Sequence, residues 1–344
     1  MALWDSTSLN TNYLAKLWNQ LWVDGYSMDI VRKHNGLLYM VMGKKTQHAN
    51  GSFSFQNTEN VQGNKVEIQF LGQLDTMSTV ANGSAEVAAA TATYNNNNYG
   101  AVEFDVCHYF HKPAIPGSEW VKMRGNEVKG MNYFKEEFRR LSLGIENQLG
   151  TAINSSTAVS NYNTTVGCWP HLASDGTSSG ESGYDAYGTL TRSANTDFQS
   201  VVTTGVGTLG LSHLSTNILN VAAKGHGSPD CGVAGVTVYN AIWNLVASYS
   251  HIINDSKMMD FAGQFVKFGS VNYILEQRAP TGVLGHLNSA NWKLWLNRNE
   301  VFDKETFWKR DPGLKSAYSC PFDVFAQFLC NNTGNQGKLT GITG

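Results

Sequence analysis

Seven apolar residues, Val128, Met131, Phe134, Phe138, Leu141, Ile145 and Leu149, recur at steps of three and four. That spacing lines one face of an α-helix. The opposite side carries Lys129, Lys135, Glu136, Glu137, Arg139 and Arg140. The pattern predicts one amphipathic helix over residues 127–153, about 40 Å long at about 1.5 Å per residue. An element of that length constrains everything packed against it.

Upstream the period is two. Val66, Ile68 and Phe70 share one face from Lys65 to Leu74, with Glu67 and Gln69 on the other. A second alternation, Ala101 to Phe110, sets Val102, Phe104, Val106, His108 and Phe110 against Glu103, Asp105, Cys107 and Tyr109. Both read as strands. The Asn-rich turn from Asn95 to Gly100 tolerates positive φ and reads as a hairpin tip. The whole stretch is a long β-excursion. From Val66 to His111 it has no Lys or Arg, but it has five acids: Glu67, Asp75, Glu86, Glu103 and Asp105. From Trp120 to Arg140 there are six bases (Lys122, Arg124, Lys129, Lys135, Arg139, Arg140) and three acids (Glu127, Glu136, Glu137).

Downstream, residues 154–197 are rich in Ser, Thr, Gly and Asn. They read as a long surface excursion or as a patch of irregular turns. Leu211, Leu214, Ile218 and Val221 mark a helix ending at Gly225. A short strand runs from Cys231 to Val238, and Tyr239, Ile242, Trp243 and Val246 mark another helix. Strands follow over Val271–Glu276, Val283–Leu287, Trp292–Leu296 and Phe322–Leu329. The fold class is α+β, and 344 residues make one large domain or two ordinary ones.

Composition narrows the function. Charged residues are 15% of the chain, against about a quarter in ordinary soluble proteins. Lys and Arg number 25, Asp and Glu 27, for a net charge of −2. A binder that works by neutralising phosphates needs a net cationic face, so that class is excluded. The 33 Asn and 34 Gly, with abundant Ser and Thr, replace charge with neutral polarity. Such a surface is buried against neighbours at lower desolvation cost than a charged one, which points to assembly. No run of 18 apolar residues predicts a membrane span. The start, Met1 to Ser6, has neither the basic nor the apolar region of a signal peptide. Cys107, Cys168, Cys231, Cys320 and Cys330 are odd in number and scattered, so buried free thiols are expected instead of a disulfide framework.

Candidate chemistry fails on context. Gly205-Val206-Gly207-Thr208-Leu209-Gly210 has the spacing of a dinucleotide fingerprint, but no buried parallel strand precedes it and Asp230 sits before the next strand, out of reach of a ribose. Gly176-Thr177-Ser178-Ser179-Gly180 has the spacing of a nucleophile elbow but lies in loop on both sides. Cys107 and His108 point to opposite faces of a strand, and with His111 they do not complete a metal site. Glu136 and Glu137 diverge by about 100° on a helix and are no catalytic pair. Glu136 is instead an i,i+4 partner for Arg140. No enzyme, cofactor or metal is expected.

The order of elements, N-terminal arm, β-excursion, long helix and mixed domain, resembles that of tailed-bacteriophage major capsid proteins with the Hong Kong 97-type fold. Four strings add to the resemblance. Tyr187-Gly188-Thr189-Leu190-Thr191-Arg192-Ser193 followed by Phe198-Gln199-Ser200 is similar to the family's Arg-Ser segment and aromatic triplet, with Phe where Trp is frequent. Gly227-Ser228-Pro229-Asp230, a strand and Tyr239 are similar to its Pro-Asp unit. Pro280, Val283-Leu284 and Leu287-Asn288 are similar to its late strand pair. Gln336-Gly337-Lys338-Leu339-Thr340-Gly341-Ile342-Thr343 resembles its ending, without the usual Pro and Arg in residues 331–335.

The resemblance implies a domain plan. Residues 1–50 are an N-terminal arm. Residues 51–112 hold a P-domain strand and the E-loop, the loop itself spanning 72–105. Residues 113–202 complete the P-domain, with a spine helix over 127–153 and a Gly/Ser-rich excursion at 154–186. Residues 203–270 form the A-domain, and 271–344 the returning strands and tail. It implies hexamers and pentamers tiling an icosahedral shell around double-stranded DNA in the virion, assembled in the host cytoplasm, with no membrane. It implies as partners a separate scaffolding protein and a portal, with stability after maturation resting on packing or on a cement protein, and only non-specific proximity to DNA. With no Lys between Val66 and His111, a lysine crosslink from the E-loop is not available. An encapsulin-like cellular compartment shares the fold and is the alternative.

The resemblance implies that the E-loop reaches over a neighbouring subunit, and the charges then suggest the contact. Asp75, Glu86, Glu103 and Asp105 of the loop are expected to attract Lys122, Arg124, Lys129, Lys135, Arg139 and Arg140 of a neighbour's spine region. Each exposed pair contributes under about 1 kcal/mol, but repetition around a ring selects register and makes assembly salt-sensitive. Replacing Glu86→Lys together with Glu103→Lys is expected to slow shell formation, followed by light scattering at low and moderate salt. Unchanged assembly would remove the acidic loop from the interface.

Overall fold

A central sheet of six strands organises the chain. Its order is Val201–Thr203, Gly337–Leu339, Leu284–Leu287, Cys231–Ala234, Val271–Leu275 and Val266–Phe268. The computed structural model describes residues 36–37, 45–47, 53–55, 58–60, 65–71, 99–112, 114–118, 140, 144–145, 147–224, 227–247, 266–296, 309–310, 317–319 and 322–343. The tail strand Gly337–Leu339 runs parallel to Val201–Thr203 and antiparallel to Leu284–Leu287. Strands distant in sequence are therefore neighbours in space.

The sheet separates two cores, because successive side chains on a strand point to opposite faces. Leu284, Leu339, Ala234 and Tyr273 face the helices Leu211–Ala223 and Val236–Ala247, which bury Leu214 and Val221, and Val238, Ile242 and Val246. Leu287, Cys231, Val233 and Ile274 face a larger core. The expected strand from Cys231 to Val238 is shorter than its apolar run. It ends at Ala234, and the Tyr239 amide bonds the Gly235 carbonyl at 2.8 Å to open the helix. The apolar run belongs to two elements because both are buried, and burial hides the change of period.

The larger core is closed by a four-stranded sheet, in the order Thr58–Asn60, Trp292–Leu296, Phe322–Cys330 and Cys107–His111. Beside it lies the antiparallel hairpin Lys65–Leu71 and Tyr99–Asp105. Val66 pairs with Phe104 and Ile68 with Val102, and all four are buried. The single alternation read from Ala101 to Phe110 is corrected here. Val102, Phe104 and Val106 are buried, but so is Cys107, while His108 and Phe110 are exposed. The phase flips at Val106 because the chain leaves the hairpin and joins another sheet. A strand that changes partners is free to change its buried face.

Residues 140, 144–145 and 147–153 are helical, and Ile145, Leu149 and Ile153 are buried at steps of four. This is the last part of the long helix expected from periodicity; residues 127–139 lie outside the described residues. Asn154 ends it, donating from Nδ2 to the Gly150 carbonyl at 2.9 Å and accepting from Trp169 Nε1 at 2.9 Å.

Residues 154–197 are irregular turns packed against the core, not a surface excursion. Val159, Val166, Cys168, Trp169, Leu172 and Ala173 are buried. Buried irregular backbone needs partners outside any ladder. They are supplied by side chains: His171 Nδ1 accepts from the Val159 amide at 2.9 Å, and Gln327 Oε1 from the Gly167 amide at 2.7 Å. The abundance of polar residues that resembled a surface loop is this bonding network.

Gly188 turns between Ala186–Tyr187 and Leu190–Thr191 at φ +58. A Cβ there would lie 2.6 Å from the Glu103 carbonyl oxygen and from Val102 Cγ1. Gly188→Ala combines backbone strain with overpacking against the hairpin, and is expected to cost about 2–4 kcal/mol. A lowered denaturant midpoint checks this; an unchanged one would mean that turn and hairpin are not in contact.

Candidate functional site

The four sequence strings meet around the tail strand. Gln336 Oε1 accepts from the Asn288 amide at 2.9 Å and from Trp292 Nε1 at 3.0 Å. Asp230 Oδ1 accepts from the Ser289 amide at 2.7 Å, and Oδ2 from the Ser289 hydroxyl. The Pro-Asp unit is thus tied to the segment after Leu287-Asn288. Ser200 Oγ donates to the Thr333 carbonyl at 2.7 Å, and Thr333 Oγ1 to the Phe198 carbonyl at 2.6 Å. Asp185 holds Ser193 by its amide at 2.7 Å and its hydroxyl at 2.9 Å. The strings are joints between segments.

On the helix side of the sheet, a polar chain crosses the core. The Tyr273 hydroxyl lies 3.0 Å from His286 Nε2, His286 Nδ1 lies 2.8 Å from Asn217 Oδ1, and Asn217 Nδ2 donates to the Val201 carbonyl at 3.2 Å. Burial pushes the His286 imidazole down to about 3, so it is neutral at pH 7.

On the other side lies a buried ionic centre. Lys338 Nζ donates to Glu181 Oε2 at 2.5 Å and to the Pro170 carbonyl at 2.6 Å, with the two side chains 1% and 5% exposed. The Tyr184 ring centroid is 4.7 Å from the ammonium, a cation–π distance. The Ser174 hydroxyl donates to the same Glu181 oxygen. Burial pulls the Lys338 ammonium below its ordinary range, opposed by the charge of Glu181. Beside it Arg192, fully buried, donates to the Tyr184 and Leu172 carbonyls and sits 5.2 Å from the Tyr187 ring centroid. His171, held neutral with a pKa lowered to about 3 chiefly by burial, closes the group. Sequence reasoning missed Glu181 and Arg192 as partners of this centre. The available signal was a lone Glu in a Gly/Ser tract and a Lys between Gly and Leu in a strand.

The arrangement is structural. Backbone carbonyls, a hydroxyl and carboxylates surround the cations, and the described residues bring together no three His, Cys, Asp or Glu placed to hold a metal ion. The dinucleotide-like glycines use their amides internally: Val206 donates to the Thr340 carbonyl at 3.1 Å and Gly207 to that of Gly341 at 2.9 Å. In the elbow-like segment, Asp175 Oδ1 accepts from the Thr177 and Ser178 amides at 3.1 Å and Oδ2 from the Ser178 hydroxyl. Cys107, Cys168, Cys231 and Cys330 are free and buried; Cys320 lies outside the described residues. Among the described residues no helix is long and apolar enough to cross a membrane.

Of the expected interface residues, Glu103, Asp105 and Arg140 are described. Asp75, Glu86, Lys122, Arg124, Lys129, Lys135 and Arg139 lie outside the described residues, as does Glu136. Arg140 is helical and exposed. Glu103 already has a partner: Lys65 Nζ reaches its Oε2 at 2.5 Å. Glu103 stands directly opposite Glu67, and Asp105 opposite Lys65. Like charges facing across a ladder repel, and Lys65 offsets that repulsion. Its ammonium is raised by the bond to Glu103 and by both acids' charge. The acidic excursion therefore carries its own cation two residues before its first acid.

No family model and no curated protein matches the sequence. Solved structures match its fold. A cyanophage A-1(L) capsid asymmetric unit aligns with a TM-score of 0.60 at 10% identity, covering 91% of this chain and 94% of that one. A Mycobacterium phage Bobi structure aligns with a TM-score of 0.51 at 13% identity, covering 91% of both chains. The SrpI encapsulin of Synechococcus elongatus aligns with a TM-score of 0.51 at 10% identity, covering 83% of this chain and 85% of that one.

Breaking a buried ion pair strands a charge and costs about 3–5 kcal/mol, whereas an apolar pair of similar volume is near neutral. Glu181→Leu is expected to destabilise by that amount, and Lys338→Met added to it to recover most of the loss. A double-mutant cycle on denaturation midpoints checks this. Additive losses would mean that the two side chains do not act as a pair.

Proposed function

We propose that this chain, whose fold is the Hong Kong 97-type capsid fold, is a major capsid protein of a tailed phage. It assembles as pentamers and hexamers into an icosahedral head and encloses double-stranded DNA. The observation that carries this reading is the nearly complete two-way coverage of a phage capsid subunit, 91% and 94% at a TM-score of 0.60. A net charge of −2 suits a container better than a binder, because a strongly adhesive lining would impede DNA entry and exit. The role is structural, not catalytic, and its location is the virion.

In this reading the hairpin Lys65–Leu71 and Tyr99–Asp105 is the base of the E-loop, and the helix ending at 153 is the P-domain spine. The segments Leu211–Ala223 and Val236–Ala247 belong to the A-domain. The acids that reach a neighbour's bases are Asp75, Glu86 and Asp105, since Lys65 occupies Glu103. A scaffolding protein and a portal are the further partners, packing or a cement protein holds the mature shell, and assembly takes place in the host cytoplasm.

Sedimentation velocity and negative-stain microscopy on the expressed chain test the proposal, with and without a co-expressed scaffold. Rings or closed shells are expected. A stable species near 38 kDa in both conditions, at low and moderate salt, would overturn it. Shells that enclose a protein cargo and never DNA would favour a cellular compartment, the alternative that the encapsulin match also accommodates.

A further inference from the structure

Glu276 follows the Val271–Leu275 strand and is 0% exposed. A buried carboxylate is costly unless its oxygens are bonded. Oε1 accepts from the Arg278 amide at 3.3 Å, within its own turn. Oε2 accepts from the Leu37 amide at 3.3 Å, across 239 residues of sequence. The Gly36 and Leu37 amides and Arg278 together oppose the upward push of burial on its pKa. Leu37 itself is 0% exposed within the larger core. Arg278 donates from Nη1 to the Asn147 carbonyl at 3.1 Å and from Nη2 to Asn147 Oδ1. Gly36 and Leu37 are helical, so no sheet ladder supplies acceptors for their amides.

We propose that Glu276 is the anchor of the N-terminal segment. Its carboxylate catches the chain by the backbone amides of residues 36 and 37, Leu37 supplies the apolar half of the catch, and Arg278 fixes the same turn to the last part of the long helix, at Asn147. One junction then holds three parts of the chain: the N-terminal segment, the central sheet and the long helix. The anchor does not rest on the shell reading, since it acts within one chain before any assembly.

Hydrogen–deuterium exchange on the full chain, read peptide by peptide, tests the anchor. Glu276→Gln keeps the shape but places an N–H₂ group where one acceptor stood. Glu276→Asp keeps the charge but loses the reach of one methylene. In both variants exchange at residues 36–37 is expected to rise about tenfold, the ratio for losing one hydrogen bond to a charged acceptor. Leu284–Leu287 and Gly337–Leu339 are expected to keep their protection. Unchanged exchange at 36–37 in both variants would overturn the proposal and leave Leu37 packing as the only hold. Loss of protection spread across both sheets, or failure to fold, would overturn it by showing that Glu276 serves global stability instead.

Discussion

A lysine in the middle of a buried strand is the constraint on which the larger core depends. Gly337–Leu339 lies between two other strands of the central sheet. Alternation sends Leu339 to the helices and Lys338 to the opposite core. An ammonium there requires a carboxylate and a carbonyl in a dry place. Glu181 and Pro170 provide both, which fixes how the irregular chain from 168 to 185 must fold. That chain in turn carries Trp169 beneath Gly285, where a Cβ would sit 2.7 Å from the ring. The path of a segment with little regular structure of its own is thus fitted around a single charge.

The same tail strand closes the other core. A Cβ at Gly337 would meet Asn217 Oδ1 at 2.4 Å, so the Asn217–His286–Tyr273 chain can pass directly over the strand. Both faces of a three-residue segment near the chain's end are occupied by groups from residues 170 to 286. Contacts of such separation cost loop-closure entropy before they return any stabilisation. The central sheet is therefore complete only when the tail has been placed, and its parallel pairing with Val201–Thr203 joins the two cores at that moment.

The hairpin beside the larger core solves a different electrostatic problem. Its inner face is Val66, Ile68, Val102 and Phe104, all buried. Its outer face sets Glu67 opposite Glu103, with Lys65 reaching between. The acids were plain in the sequence, but their mutual register was not. That register decides which of them remain for a neighbour. Similarly, the alternation through Val106 was legible, whereas its reversal was not, because a change of sheet leaves no mark on local period.

Local period determined much of this protein from sequence alone. The strands at 65–71, 271–275, 284–287 and 292–296 and the helix at 211–223 follow from residues within one or two turns of each other. So does the helix ending at 153. The family resemblance, carried by four short strings, pointed to the capsid fold, and the backbone agrees with it at 10% identity. Tertiary structure alone decided what those strings do. Asp230 bonding Ser289, Gln336 bonding Trp292 and Lys338 bonding Glu181 each join residues far apart in the chain. Partner choice for a buried polar group depends on which segments the fold brings within about 3 Å, and no local pattern encodes that distance.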